Sequence, residues 1–275
     1  MDSNALKKFA AQIRITTLKC LKTRGFGHVG GCMSIVEVLA ALYEGGMKYD
    51  PKNPGWEGRD YLIMSKGHGG PTLFAALALK GFFPLDWLDT LCEPKTRLPS
   101  HCDRLKTPGV DVSTGSLGQG LSVAAGLAQG LEIQEKDNRV YVILGDGECQ
   151  EGQIWEAAQY AAHYQLGNLI AFVDWNKKQV DGPLAEILCP EDFQARFSAF
   201  GWHSVTVNGK DANEIQQAIR NVQKSQGKRP AVIILDGVKG SGVREYEEME
   251  FNHYFNLDDS ANRYIEMLET KLATM

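Results

Sequence analysis

A chain of 275 residues that is 43% hydrophobic and 23% charged can bury a sizeable core, which excludes a disordered or collagen-like polymer. Its net charge of −5 leaves no electrostatic footprint for a nucleic-acid partner. Glycine is over-represented at 29 residues, as expected of many turns or of a backbone that must approach a ligand closely.

Asn4–Leu21 carries Leu6, Phe9, Ile13, Leu18 and Leu21 at helical spacing and predicts a helix. A second helix is expected from Ser34, as N-cap, to Tyr43, before the break at Gly45-Gly46. Tyr61–Ser65 reads as a short buried strand. Helical stretches follow at Thr72–Leu79, Leu85–Leu91 and Gln119–Glu132. Val140–Leu144 and Leu169–Val173 are apolar runs of strand length that flank a helix at Ile154–Tyr164, making a βαβ unit. Ser204–Val207, a helix from Ala212 to Gln223, and Ala231–Leu235 continue the alternation. Asp211 and Glu214 resemble a capping box, and the tail forms a last helix at Ser260–Leu272. With no repeat or linker, residues 1–275 read as a single α/β domain, a parallel sheet with helices on both faces.

Met1–Lys8 lacks the apolar core of a signal peptide, and no apolar run approaches the roughly 18 residues of a membrane span, so no membrane partner is expected. Cys20, Cys32, Cys92, Cys102, Cys149 and Cys189 form no C-x-x-C pair, which argues for a reduced, cytoplasmic protein without a zinc site or disulfide framework.

Ligands of an open parallel sheet bind beyond the carboxyl ends of its strands. Four strand ends carry glycine with polar groups: Lys66-Gly67-His68-Gly69; Gly145-Asp146-Gly147-Glu148, with Glu151 next; Asp174, Asn176 and Lys178; and Asp236-Gly237, with the loop Lys239-Gly240-Ser241-Gly242. A right-handed crossover brings Asp146 and Asn176 to the same edge, where carboxylate, amide and backbone oxygens suit Mg²⁺ or Ca²⁺ completed by a diphosphate. The bland alternative is a Gly-Asp-Gly turn beside an Asn-capped loop. Four histidines, His28, His68, His101 and His253, lie among loop residues and could bind sugar hydroxyls or phosphate and move protons, whereas His163 and His203 read as structural. Glu151 is either a favourable anion at a helix start or a buried relay carboxylate, and the sequence alone does not separate these. Gly115-Ser116-Leu117-Gly118-Gln119-Gly120 lacks the spacing of a dinucleotide fingerprint.

Gly145-Asp146-Gly147, followed by Glu151-Gly152, Trp155-Glu156-Ala157 and Asp174-Trp175-Asn176, resembles the thiamin-diphosphate motif of transketolases. Ser65-Lys66-Gly67-His68-Gly69 and Ser113-Thr114-Gly115-Ser116-Leu117-Gly118-Gln119-Gly120 resemble two further blocks of that family, in order from His28 to His253. The resemblance implies the thiamin-diphosphate-binding (diphosphate-module) fold. It also implies that Asp146, Asn176 and the Lys178 carbonyl hold Mg²⁺ (or Ca²⁺ or Mn²⁺). Gly145, Asp146, Gly147, Asn176, His68 and His253 would bind the diphosphate, and Gly115 and Leu117 would offer backbone to thiamin. His28 and His101 would line the sugar channel and bind or deprotonate donor hydroxyls, His253 would count with them among the catalytic residues, and Glu151 would join a carboxylate relay across a subunit interface. The chain departs from the pattern at His253-Tyr254, where related chains usually show His-Gly after Trp, and at Cys102, where they commonly have Pro.

A full transketolase also carries a pyrimidine-binding module and a C-terminal domain, for which no segment is left. The resemblance therefore implies the N-terminal subunit of a split transketolase, moving a two-carbon ketol unit between sugar phosphates. Its partner would be a C-terminal subunit carrying the pyrimidine module, with two copies of each chain. The competing readings are one chain of a 1-deoxyxylulose-phosphate synthase-like or oxoacid-decarboxylating enzyme, and a non-catalytic cofactor-binding protein.

Overall fold

Four apolar runs, and one edge segment in which Val205 and Val207 alternate with polar residues, become the strands of one sheet. The computed structural model describes residues 3–188, 192–225 and 227–275, so Cys189 lies outside the described residues. Strands β1 (Tyr61–Met64), β2 (Val140–Gly145), β3 (Leu169–Trp175), β4 (His203–Asn208) and β5 (Ala231–Asp236) pair in the order β1-β2-β3-β5-β4, every pair parallel. Parallel neighbours need long crossovers. These hold the helices α2 (Gly70–Leu79), α3 (Gln119–Ile133), α4 (Gly152–His163), α5 (Phe193–Ala199) and α6 (Ala212–Ser225), with α1 (Ser3–Arg24) before the sheet and α7 (Ser260–Ala273) after it.

Unbroken apolar strands are what a sheet covered on both faces requires, because successive side chains point to opposite sides. Tyr141, Ile143, Ile170, Phe172, Ile233 and Leu235 enter one core, with α1, α2, α6 and α7. Val140, Val142, Leu144, Leu169, Ala171, Val173, Val232 and Ile234 enter the other, with α3, α4 and α5. A two-residue antiparallel ribbon, Phe26–Gly27 with Phe255–Asn256, ties the start of the chain to the segment before α7.

Four expectations are corrected. Ser34 caps no N-terminus: it follows a short helix at Val29–Met33, and the next helix, Val36–Ala41, begins after Ile35. Its hydroxyl donates instead to Asp174 Oδ2 at 2.7 Å, a partner far along the chain. The apolar stretch Val29–Gly46 does reach membrane length, at 18 residues with mean hydropathy 1.2, but 89% of it is buried inside the protein, as a core segment must be. The 211–214 pair is only half a capping box, since Asp211 accepts from the Asn213 and Glu214 amides while Glu214 reaches back to the Asn208 amide. Leu85–Thr90 is a 3₁₀ segment.

Candidate cofactor and active site

The β2–β3 register pairs Gly145 with Asp174, so the loops after both strands leave the sheet side by side. Asp146 is 2% exposed. Its Oδ1 accepts from the Gly147 amide at 2.8 Å and its Oδ2 from the Lys177 amide at 2.7 Å. Asn176 is buried beside it and donates its amide to Asp174 Oδ2 at 2.8 Å, which turns its Oδ1 the other way, toward the Lys178 amide at 3.2 Å. The Lys178 carbonyl accepts from the Lys239 ammonium at 2.8 Å. Asp146, Asn176, Lys178 and Lys239 line one cleft with Gly145, Gly147, His68, Leu117 and His253.

Burial first, and then the charge of Asp174, push the Asp146 carboxyl up to about 7. Two amide donors and no contacting cation leave this buried anion under-compensated, which suits a divalent ion. The hard oxygens of Asp146, Asn176 and the Lys178 carbonyl are of the kind such an ion takes. The residues present therefore fit Mg²⁺ and a diphosphate, and a bound cation would reverse the upward shift. Among the described residues no cluster of three His, Cys, Asp or Glu side chains offers a competing metal site.

Beneath the cleft, Lys66 and Asp174 form an ion pair at 2.6 Å, each side chain 1% exposed. Asp174 Oδ2 thus accepts from Lys66, Ser34 and Asn176 together, three elements meeting on one oxygen.

Glu148, which sequence reasoning did not single out, is a third buried carboxylate of this region. It accepts from the Ser65 hydroxyl, from the Gly118 amide at 2.9 Å and from the Gly145 amide at 2.9 Å, joining the loops after β1 and β2 to the start of α3. Burial raises its carboxyl, opposed by those three donors. Glu151 is exposed and lies beside Gly118, whose φ of +82° an L side chain rarely adopts. Its carboxylate does not line the cleft, whereas that of Glu148 does. The signal for Glu148 was present in Gly145-Asp146-Gly147-Glu148, but only the fold shows which acid points inward.

The four loop histidines meet. His28 lies 5.3 Å from His68, 5.7 Å from His101 and 5.2 Å from His253, ring centroid to centroid, and His68 lies 5.1 Å from His253. Burial lowers all four imidazoles. His28 falls to about 4, helped by His101, Lys239 and Lys66, and His253 to about 3, helped by Lys239, His28 and Lys66. His68 is held well below its usual range and His101 is lowered by burial alone. Neutral imidazoles both donate and accept, as hydrogen bonding to sugar hydroxyls demands. Lys239 Nζ lies 2.9 Å from His253 Nδ1, and burial followed by Lys66 brings its ammonium down to about 8. His163 ends α4 and His203 begins β4, away from this cluster. Gly115 lies against the His101 ring.

A parallel sheet with a buried carboxylate–amide pair and glycine loops at its carboxyl edge defines a thiamin-diphosphate-binding α/β module. Residues 5–266 match the family described as transketolase, thiamine diphosphate binding domain. The chain belongs to the transketolase family. It is 50% identical over 254 residues, 92% of each chain, to the 6-deoxy-6-sulfo-D-fructose transketolase subunit SqwG of Clostridium sp. (strain MSTE9). It is 38% identical over 272 residues, 98% of each, to an apulose-4-phosphate transketolase subunit of Actinobacillus succinogenes. Human transketolase is 36% identical over 253 residues, but these are only 39% of its length. A crystal structure of transketolase from Pichia stipitis superposes with a TM-score of 0.86 at 29% identity, covering 99% of this chain and 41% of that one. The chain thus spans less than half of the solved transketolases it matches and nearly all of the named subunits.

Proposed function

We propose that this chain is the cofactor-holding subunit of a two-chain transketolase that moves a two-carbon ketol unit between sugars bearing a terminal phosphate or a comparable anionic group. The observation that carries it is the likeness to chains named as transketolase subunits, 50% and 38% identical to this one. Its partner would be a chain with the pyrimidine-binding module, in two copies of each. The sulfo-sugar named for the relative in Clostridium makes a sulfonated ketose one candidate donor.

In this reading Asp146, Asn176 and the Lys178 carbonyl would hold Mg²⁺, and Lys239, His68 and the Gly147 amide would face the diphosphate. Bound thiamin diphosphate supplies the reactive carbon and the electron sink. His28, His101 and His253, neutral at physiological pH, orient the donor's hydroxyls and move their protons. Lys66, paired with Asp174, holds the metal loop rigid, and Glu148 fixes Leu117 relative to Gly145. Glu151, exposed on the isolated chain, would meet the partner's carboxylates. The five described cysteines are unpaired, four of them buried, which favours a reducing cytoplasm.

Affinity capture of this chain from its native lysate tests the proposal. We expect a partner of similar size and, from the captured pair with thiamin diphosphate and Mg²⁺, ketol transfer that the pure chain lacks. Robust transfer by the pure chain would overturn the split arrangement.

A further inference from the structure

Pairing of Gly27 with Phe255 sets His28 beside Tyr254, their rings edge to face with centroids 5.0 Å apart. Tyr254 in turn meets Phe26 at 5.7 Å, and the Arg24 guanidinium lies 4.3 Å over the Phe26 ring. A contiguous run of rings therefore leads from the histidine pocket to a cation. Tyr254 is half exposed and Phe26 partly so, which keeps the outer end of the run open.

The fold does not account for Arg24. No carboxylate forms an ion pair with it among the described residues. Its Nε is buried without a hydrogen-bond partner. Its polar contact is the Cys92 thiol, whose burial-raised pKa it partly offsets. As the last residue of α1 it also gains from the helix dipole. Tyr254, half exposed between Phe26 and His28, sets its ring at the approach to the histidine pocket.

We propose that Arg24, Phe26 and Tyr254 form the outer subsite of the sugar channel on this chain, the two rings walling the ketose carbon chain and the guanidinium taking its terminal oxyanion. A planar guanidinium is suited to a tetrahedral oxyanion, phosphate or sulfonate, which it binds through two parallel hydrogen bonds. Stacking on Phe26 limits its rotamers, so less side-chain entropy is lost on binding. The subsite rests on the proposed function, because it needs a ketose bound with its reacting end at the histidines.

The test uses the two-chain holoenzyme with fructose 6-phosphate, 6-deoxy-6-sulfofructose and fructose as donors. The wild-type pair is assayed first, and absence of turnover with all three would remove the proposed function and this subsite with it. Given turnover, Arg24→Ala is expected to lower kcat/KM for a charged donor roughly tenfold more than for fructose, through KM, as loss of a charge-assisted contact should. Arg24→Lys should recover part of that loss, and the melting temperature shows whether each variant is folded. A response to only one charged donor supports the subsite and names its oxyanion. Equal losses on charged and uncharged donors, or no loss on any, would overturn the subsite and leave the proposed function standing.

Discussion

Asp174 illustrates how much one buried oxygen holds at this site. Ser34, Lys66 and Asn176 all donate to its Oδ2, and Lys66 alone brings an opposite charge. Lys66→Met should leave Asp174 buried and unpaired and destabilise the protein by about 3–5 kcal/mol, read as a fall in the urea midpoint. Adding Asp174→Asn to that variant should recover part of the loss. Asp146 predicts the opposite division: Asp146→Ala should remove metal-dependent cofactor binding, measured by calorimetry, while the melting temperature holds. Unchanged affinity would sink the metal assignment. Lys66 was legible as part of a motif, but its partner is 108 positions away, and only the β1–β2–β3 pairing brings them together.

At the scale of elements, the three glycine loops are held in register by contacts that leave no room for a side chain. A Cβ on Gly120 would collide with the Ser65 hydroxyl that donates to Glu148. Gly120→Ala should therefore cost about 1–3 kcal/mol by overpacking. It should also weaken cofactor binding, since Leu117 and Gly145 lose their common tie. A denaturation midpoint equal to that of the parent chain would show the tie to be dispensable. The strands themselves were legible because each apolar run is fed into two cores by a two-residue period. Ser34 was misread because a serine before an apolar run looks the same whether it caps its own helix or reaches across to another strand's end.

On the scale of the whole molecule, the histidine cluster couples stability to pH. His28 and His253 are lowered from 6.5 to about 4 and about 3 in the folded state. The unfolded chain therefore binds more protons below the usual histidine range. This contribution is fully present above about pH 6.5 and is lost as pH falls toward 4. Asp146, raised to about 7 in the folded state, acts in the opposite sense over the same range, so the histidine contribution is read by difference. The urea midpoint of the parent chain should lose more between pH 7.5 and 5 than that of His28→Asn, and equal slopes would contradict the assignment. The sequence by itself determined the alternation of strands and helices, the carboxyl edge as the place of chemistry, and the residues that could serve there, because periodicity and glycine spacing are local properties. Tertiary structure alone decided which acid turned inward, what Ser34 and Lys66 bind, and that Arg24, Phe26 and Tyr254 pack in a row. Burial and long-range pairing set those outcomes, and neither is written in the spacing of neighbouring residues.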